Sequence, residues 1–183
     1  QGMLFHSLYA PESGIYFEQI HFCLNGNLNI EAFLKAWQHL IDRHTILRTA
    51  FLYETDRPLQ VVYKKAKLSC QTLDWRELSE SERQQKLESL LSTERSVGFK
   101  LNEAPLMRLQ LIRETDTKFR LVWHHHHLLM DGWCLPILFT ELFEAYSAFG
   151  EGKNPCLPPI RPYRAYINWL SEQDHEKAKA YWQ

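Results

Sequence analysis

From Ile30 to Ile41 the apolar residues Ile30, Phe33, Leu34, Trp37, Leu40 and Ile41 recur at the spacing of one helix face, and Asn29 stands where a side-chain cap is needed. That pattern predicts an amphipathic helix with a core-facing stripe. A second such stripe follows Gly132, through Leu135, Leu138, Phe139, Leu142, Phe143 and Tyr146, with Pro136 in the tolerant first turn and Gly150 as the stop. Shorter apolar and aromatic runs predict strands at Tyr16–Leu24, Leu47–Tyr53, Leu59–Tyr63 and Cys70–Leu73. The second and third of these should pair across a polar connection holding Asp56, Arg57 and Pro58, with Cys70–Leu73 extending the same sheet. Pro105–Arg113 and Lys118–His126 read as a β-hairpin closed by residues 114–117. Ser79 and Glu82 have capping-box spacing at the head of a polar surface helix carrying Leu87, Leu90 and Leu91 and ending near Gly98.

At the ends of the chain, Gln1–Tyr9 predicts a short helix closed by the turn residues Pro11 to Gly14. Four prolines between Asn154 and Pro162 make a stiff loop, with helical stretches expected at Tyr166–Leu170 and Glu176–Trp182. The order of elements predicts an α/β fold, an α+β two-layer sandwich in which helices pack on an open mixed sheet. At 183 residues, 45% of them hydrophobic, the chain can bury one core, so residues 1–183 are expected to form one unit. A net charge of -1 from 21 basic and 22 acidic residues, without long runs, gives no electrostatic case for nucleic acid or an anionic membrane. No apolar stretch nears the ~20 residues of a membrane span, and no basic-then-apolar leader is present. Cys23, Cys70, Cys134 and Cys156 form no CxxC pair, which predicts reduced cysteines and a cytoplasmic location. The chain opens on Gln1 rather than Met, as a segment of a longer protein would.

The predicted hairpin ends in WHHHHLLMDGW, Trp123 to Trp133. Alternation along a strand puts His125 and His127 on one face and His124 and His126 on the other. A histidine-rich metal-binding protein is one reading of this run. Alternation leaves at most two imidazoles per face, however, whereas a stable zinc site takes three or four protein ligands.

The stretch HHLLMDG, His126 to Gly132, resembles the HHxxxDG signature of condensation domains of nonribosomal peptide synthetases, a branch of the chloramphenicol-acetyltransferase-like acyltransferases. RHTILRTAF, Arg43 to Phe51, resembles that family's RHxxLRTxF block, and QGMLFHSL at the start resembles its opening block. The resemblance implies the N-terminal subdomain of a chloramphenicol-acetyltransferase-like fold, with the C-terminal condensation subdomain and an adenylation domain following in cis. It implies condensation of a donor acyl or peptidyl thioester with the amine of an acceptor aminoacyl thioester. Both substrates would ride on the 4'-phosphopantetheine arms of donor and acceptor peptidyl carrier proteins, and the domain itself would bind no cofactor.

The expected catalytic stretch is His126, His127, Asp131 and Gly132, supported by Arg43, Arg48 and Trp133. His127 is the position the resemblance marks for chemistry, since an imidazole can accept or hold a proton near neutrality. His126 should turn into the packed side as a hydrogen-bonded, structural residue. Asp131 should hold the loop, by capping the next helix or by an ion pair to which Arg43 or Arg48 could contribute. Gly132 is expected to serve a backbone conformation or a close approach that a Cβ would block. The form of the opening block resembles the subtype that receives a D-configured donor. Heterocyclising relatives carry an aspartate-rich signature instead, and small-molecule acyltransferases share only an HxxxD core. Epimerising relatives, or a non-catalytic half that binds carriers, remain the alternatives.

Overall fold

The computed structural model describes residues 2–10, 13–54 and 57–182. Pro11 and Glu12 of the expected turn, Asp56 of the expected connection, and the terminal residues Gln1 and Gln183 lie outside the described residues. The elements run α1 (Gly2–Tyr9), β1 (Phe17–Asn25), α2 (Ile30–Arg43), β2 (Thr49–Leu52), β3 (Leu59–Val62), β4 (Cys70–Asp74), α3 (Glu80–Val97), β5 (Met107–Thr115), β6 (Lys118–His126), α4 (Leu135–Gly150), α5 (Tyr163–Ser171) and α6 (His175–Trp182). Both predicted caps are formed. Asn29 accepts from the Ala32 N–H, and Ser79 and Glu82 close a reciprocal capping box at the start of α3.

The principal sheet has the order β1-β6-β5-β4, antiparallel except for the parallel pair β4 and β5. Expected pairing failed at one strand. Cys70–Asp74 does not extend the two-stranded sheet of β2 and β3 but joins the principal sheet at its edge beside β5. Parallel neighbours need a long crossover, and the 18 residues of α3, between β4 and β5, supply it. The expected strand from Leu47 is also shortened. Thr45–Arg48 forms a 3₁₀ turn, tied by the Thr49 hydroxyl to the Thr45 carbonyl at 2.8 Å, and the strand begins only at Thr49. The hairpin is tighter than expected, since Thr115 pairs with Lys118 across two residues.

The open mixed sheet with helices packed on it is the expected fold, but helices cover both of its faces rather than one. Leu109, Leu111, Leu121 and Trp123 face α2 and α4, in a core that includes Phe33, Trp37, Leu40 and Leu142. The alternate residues Ile112 and Val122 face Leu87 of α3 and Trp75. β6 therefore has strands on both sides and helices on both faces, which is why its residues from Leu121 to His126 are buried without a break. By contrast, no residue of α5 is buried, and Tyr163, Tyr166, Ile167 and Trp169 are all exposed. Among the described residues no helix is long and apolar enough to cross a membrane.

Candidate active site

The end of β6 treats its four histidines differently. His124 is fully buried on the α3 side. Its Nε2 lies 2.7 Å from the Gln110 side-chain oxygen, and the Gln19 amide, which also donates to the Leu91 carbonyl, lies 3.3 Å from its Nδ1. His125 faces the other way and stacks on Trp123, with ring centroids 4.5 Å apart. His126 returns to the first side. The Leu128 N–H donates to its Nδ1 at 3.1 Å, which puts the ring proton on Nε2, 3.4 Å from the Ser7 hydroxyl of α1. Burial pushes all three imidazoles down to about 4, with Arg108 and Arg95 adding to the shift at His124, so each is neutral near pH 7.

His127 stands just beyond the strand and continues its ladder by one bond, its N–H donating to the Tyr16 carbonyl at 2.9 Å. Its side chain keeps 34% of its surface. The Tyr16 ring lies nearly parallel to the imidazole at 6.3 Å, and the Tyr16 hydroxyl lies 3.1 Å from His6 Nδ1 on α1. On the same face, the Glu18 carboxylate lies 3.4 Å from His127 Nδ1. Glu18 and Tyr16 were not singled out in the sequence. Their relation to His127 depends on the pairing of β1 with β6, across about a hundred residues of chain, which neither strand's own pattern encodes.

Asp131 acts as a cap. Its Oδ1 accepts from the Trp133 N–H at 3.0 Å and from the Cys134 thiol at 3.5 Å, closing the 3₁₀ turn Gly132–Cys134 that leads into α4. Of the two expectations for Asp131, capping is the one realised among the described residues. Gly132 departs from expectation in one respect: its φ is not positive, and an added Cβ would meet nothing within 4 Å, so the fold does not demand glycine there. What remains is open space beside the loop. Trp133 contributes its backbone N–H to the turn, while the residue is 87% exposed, so the expected support of the site by its side chain is not seen among the described residues.

Neither arginine of the second block reaches the loop as expected. Arg43 grips Glu141 of α4 with two hydrogen bonds, at 2.9 and 3.2 Å, and also donates to the Pro158 carbonyl. His44 adds a 2.6 Å contact to the same carboxylate. Burial alone would raise the Glu141 pKa, but the bonds from Arg43 and His44 outweigh it and hold the carboxyl below its ordinary value. Arg48 donates to the Tyr63 carbonyl just past β3. The side-by-side packing of α2 and α4 sets Arg43 level with the second turn of α4, beyond the loop. Both arginines thus fasten the scaffold, and Arg43 steadies the helix that the loop enters. Among the described residues no three His, Cys, Asp or Glu side chains are placed to share a metal.

This sheet with helices on both faces has the fold of a solved condensation domain. It superposes on the starter condensation domain of rhizomide synthetase RzmA with a TM-score of 0.84, covering 99% of this chain and 45% of that one at 19% identity. The chain belongs to the condensation domain family, whose model matches residues 1–183. It is similar to linear gramicidin synthase subunits C and B of Brevibacillus parabrevis, with 43% and 45% identity over all 183 residues. The chain spans only 2% and 4% of the length of those two subunits.

Proposed function

We propose that this chain forms one wall of a catalytic unit that makes peptide bonds in nonribosomal peptide synthesis, with His127 as its catalytic imidazole. A donor acyl or peptidyl group and an acceptor aminoacyl group arrive as thioesters on the phosphopantetheine arms of two carrier proteins. The acceptor nitrogen attacks the donor carbonyl carbon and a C–N bond forms. The nitrogen sheds a proton, the C–S bond breaks, and the donor arm leaves as a thiolate that takes up a proton. An α-amine titrates near ~8, so an appreciable fraction arrives neutral. The imidazole then serves to orient that amine, accept its proton and steady the tetrahedral intermediate.

One observation carries this reading: of the four histidines, only His127 leaves the core, and it does so beside a capped loop with open space at Gly132. The other wall is the C-terminal condensation subdomain, with an adenylation domain beyond it in cis. The exposed aromatic residues of α5 support this, because a contiguous apolar surface commonly marks a face that another element covers. No cofactor is assigned to the chain itself, and the unit works in the cytoplasm, where the carriers are loaded. The opening block QGMLFHSL supports a donor that ends in a D-configured residue.

The test is to supply this chain with both loaded carriers, alone and with the C-terminal subdomain added in trans. Positioning accounts for about 7–11 kcal/mol of a barrier, so product should form only when both walls are present. Efficient condensation by a monomeric 183-residue chain would refute the two-wall mechanism.

A further inference from the structure

We propose that Glu18 is the positioning residue for His127: its carboxylate holds the proton of Nδ1 and thereby leaves Nε2 as the nitrogen that meets the amine. This deepens the condensation reading and rests on it. Strand register places the two residues together. Phe17 pairs with His126 and Glu18 with His125, so the bond from His127 N–H to the Tyr16 carbonyl sets Tyr16 directly opposite His127. Side chains on one face of a sheet come from alternate residues. Tyr16, Glu18, His125 and His127 therefore share a face, and Glu18 is the diagonal neighbour of His127, within reach of a long side chain.

The contacts agree with the register. Nδ1 of His127 is 3.4 Å from Glu18 Oε1, while Tyr16 limits the tilt of the ring and is itself held by His6. The other neighbours do not compete for that proton. His125 is turned onto Trp123, and His126, on the opposite face, bonds to Leu128 and approaches Ser7. A separation of 3.4 Å is longer than the ~2.7–3.2 Å of a good N–H···O bond, and catalytic contacts of this kind commonly tighten only once substrate is bound. Glu18 keeps 44% of its side-chain surface and His127 34%, so the pair adds little to folding stability. Its consequence is tautomeric. Which imidazole nitrogen is free is set by the hydrogen bond that the other one makes. Free histidine in water favours the proton on Nε2, so a carboxylate at Nδ1 reverses the default.

Nitrogen-15 NMR of the imidazoles in this chain reads the tautomer directly, at a pH near ~9 where an ordinary histidine is neutral, with the His127 signals assigned by their loss in His127→Gln. The proposal expects the native His127 to carry its proton mainly on Nδ1. Glu18→Ala should move it mainly to Nε2, and Glu18→Gln, which keeps an acceptor oxygen, should hold it on Nδ1. In the complete domain, Glu18→Ala should lower kcat on the order of tenfold with KM little changed, and Glu18→Gln should recover most of that loss. A native proton on Nε2, or a tautomer that ignores Glu18→Ala, overturns the proposal and leaves the condensation reading intact. Full turnover by His127→Ala would instead overturn that reading, so the two failures are distinguishable.

Discussion

Neighbouring histidines on one strand meet opposite fates in this molecule. His124, His125 and His126 lie in a central strand that has partners on both edges and helices on both faces, and all three are buried and neutral. His127 stands one residue further, where the ladder gives its last bond and the side chain meets solvent and Glu18. A run of identical residues thus divides by burial into three framework histidines and one accessible imidazole, the one we propose as reagent.

The largest effect should come from acid. An imidazole with a folded pKa of about 4 and an unfolded value near ~6.5 binds its proton more readily in the unfolded chain, so stability is intact above about pH 6.5 and is lost as pH falls toward 4. Each buried histidine contributes a slope of up to about 1.4 kcal/mol per pH unit in that window. Glu141, held below the usual carboxylate value, gives way only at lower pH. Urea unfolding measured in half-unit steps should therefore show its decline beginning near pH 6, and a flat profile down to pH 4.5 would break the comparison.

His124→Ala should come next, at about 2–4 kcal/mol, because it opens a cavity and leaves Gln110 without its 2.7 Å partner. Its measure is the midpoint of chemical unfolding. Asp131→Ala should cost about 0.5–2 kcal/mol through the lost cap, and should lower turnover of the complete domain as the loop loosens. Unchanged melting with lost turnover would make Asp131 a reagent rather than a cap. Trp133→Ala should change stability by less than about 0.5 kcal/mol, since its indole is exposed; a larger loss in calorimetry would show that the ring packs after all.

The sequence revealed those features whose physics is local. The Asn29 cap, the Ser79–Glu82 box and the stripes of α2 and α4 each depend on residues within a few positions of one another, and each was legible. The split between His126 and His127 was legible for the same reason, because a period of two needs no partner strand. What could not be read was pairing at a distance. Cys70–Asp74 carries nothing in its own pattern that chooses β5 over β3, and Glu18 becomes a neighbour of His127 only once β1 has paired with β6. Arg43 was placed near the loop by its motif, but the packing of α2 on α4 gave it to Glu141 instead. At Gly132 the special backbone that a glycine in a signature suggests is absent, since its φ is not positive, and the open space beside it leaves close approach as the other expectation.

The most direct test of the central claim is His127→Ala in the complete domain, with peptide formation between loaded carriers and thermal melting measured on the same preparation. A partly exposed side chain held only by loose contacts to Glu18 and the Tyr16 ring contributes little to the fold, so the melting temperature should shift by no more than about 2 °C. The rate of product formation should fall by about 10²–10⁴-fold, as expected for the loss of a positioned acid–base group. Turnover near that of the unaltered domain, or a collapse of the fold along with activity, would contradict the assignment of chemistry to the last histidine of the run.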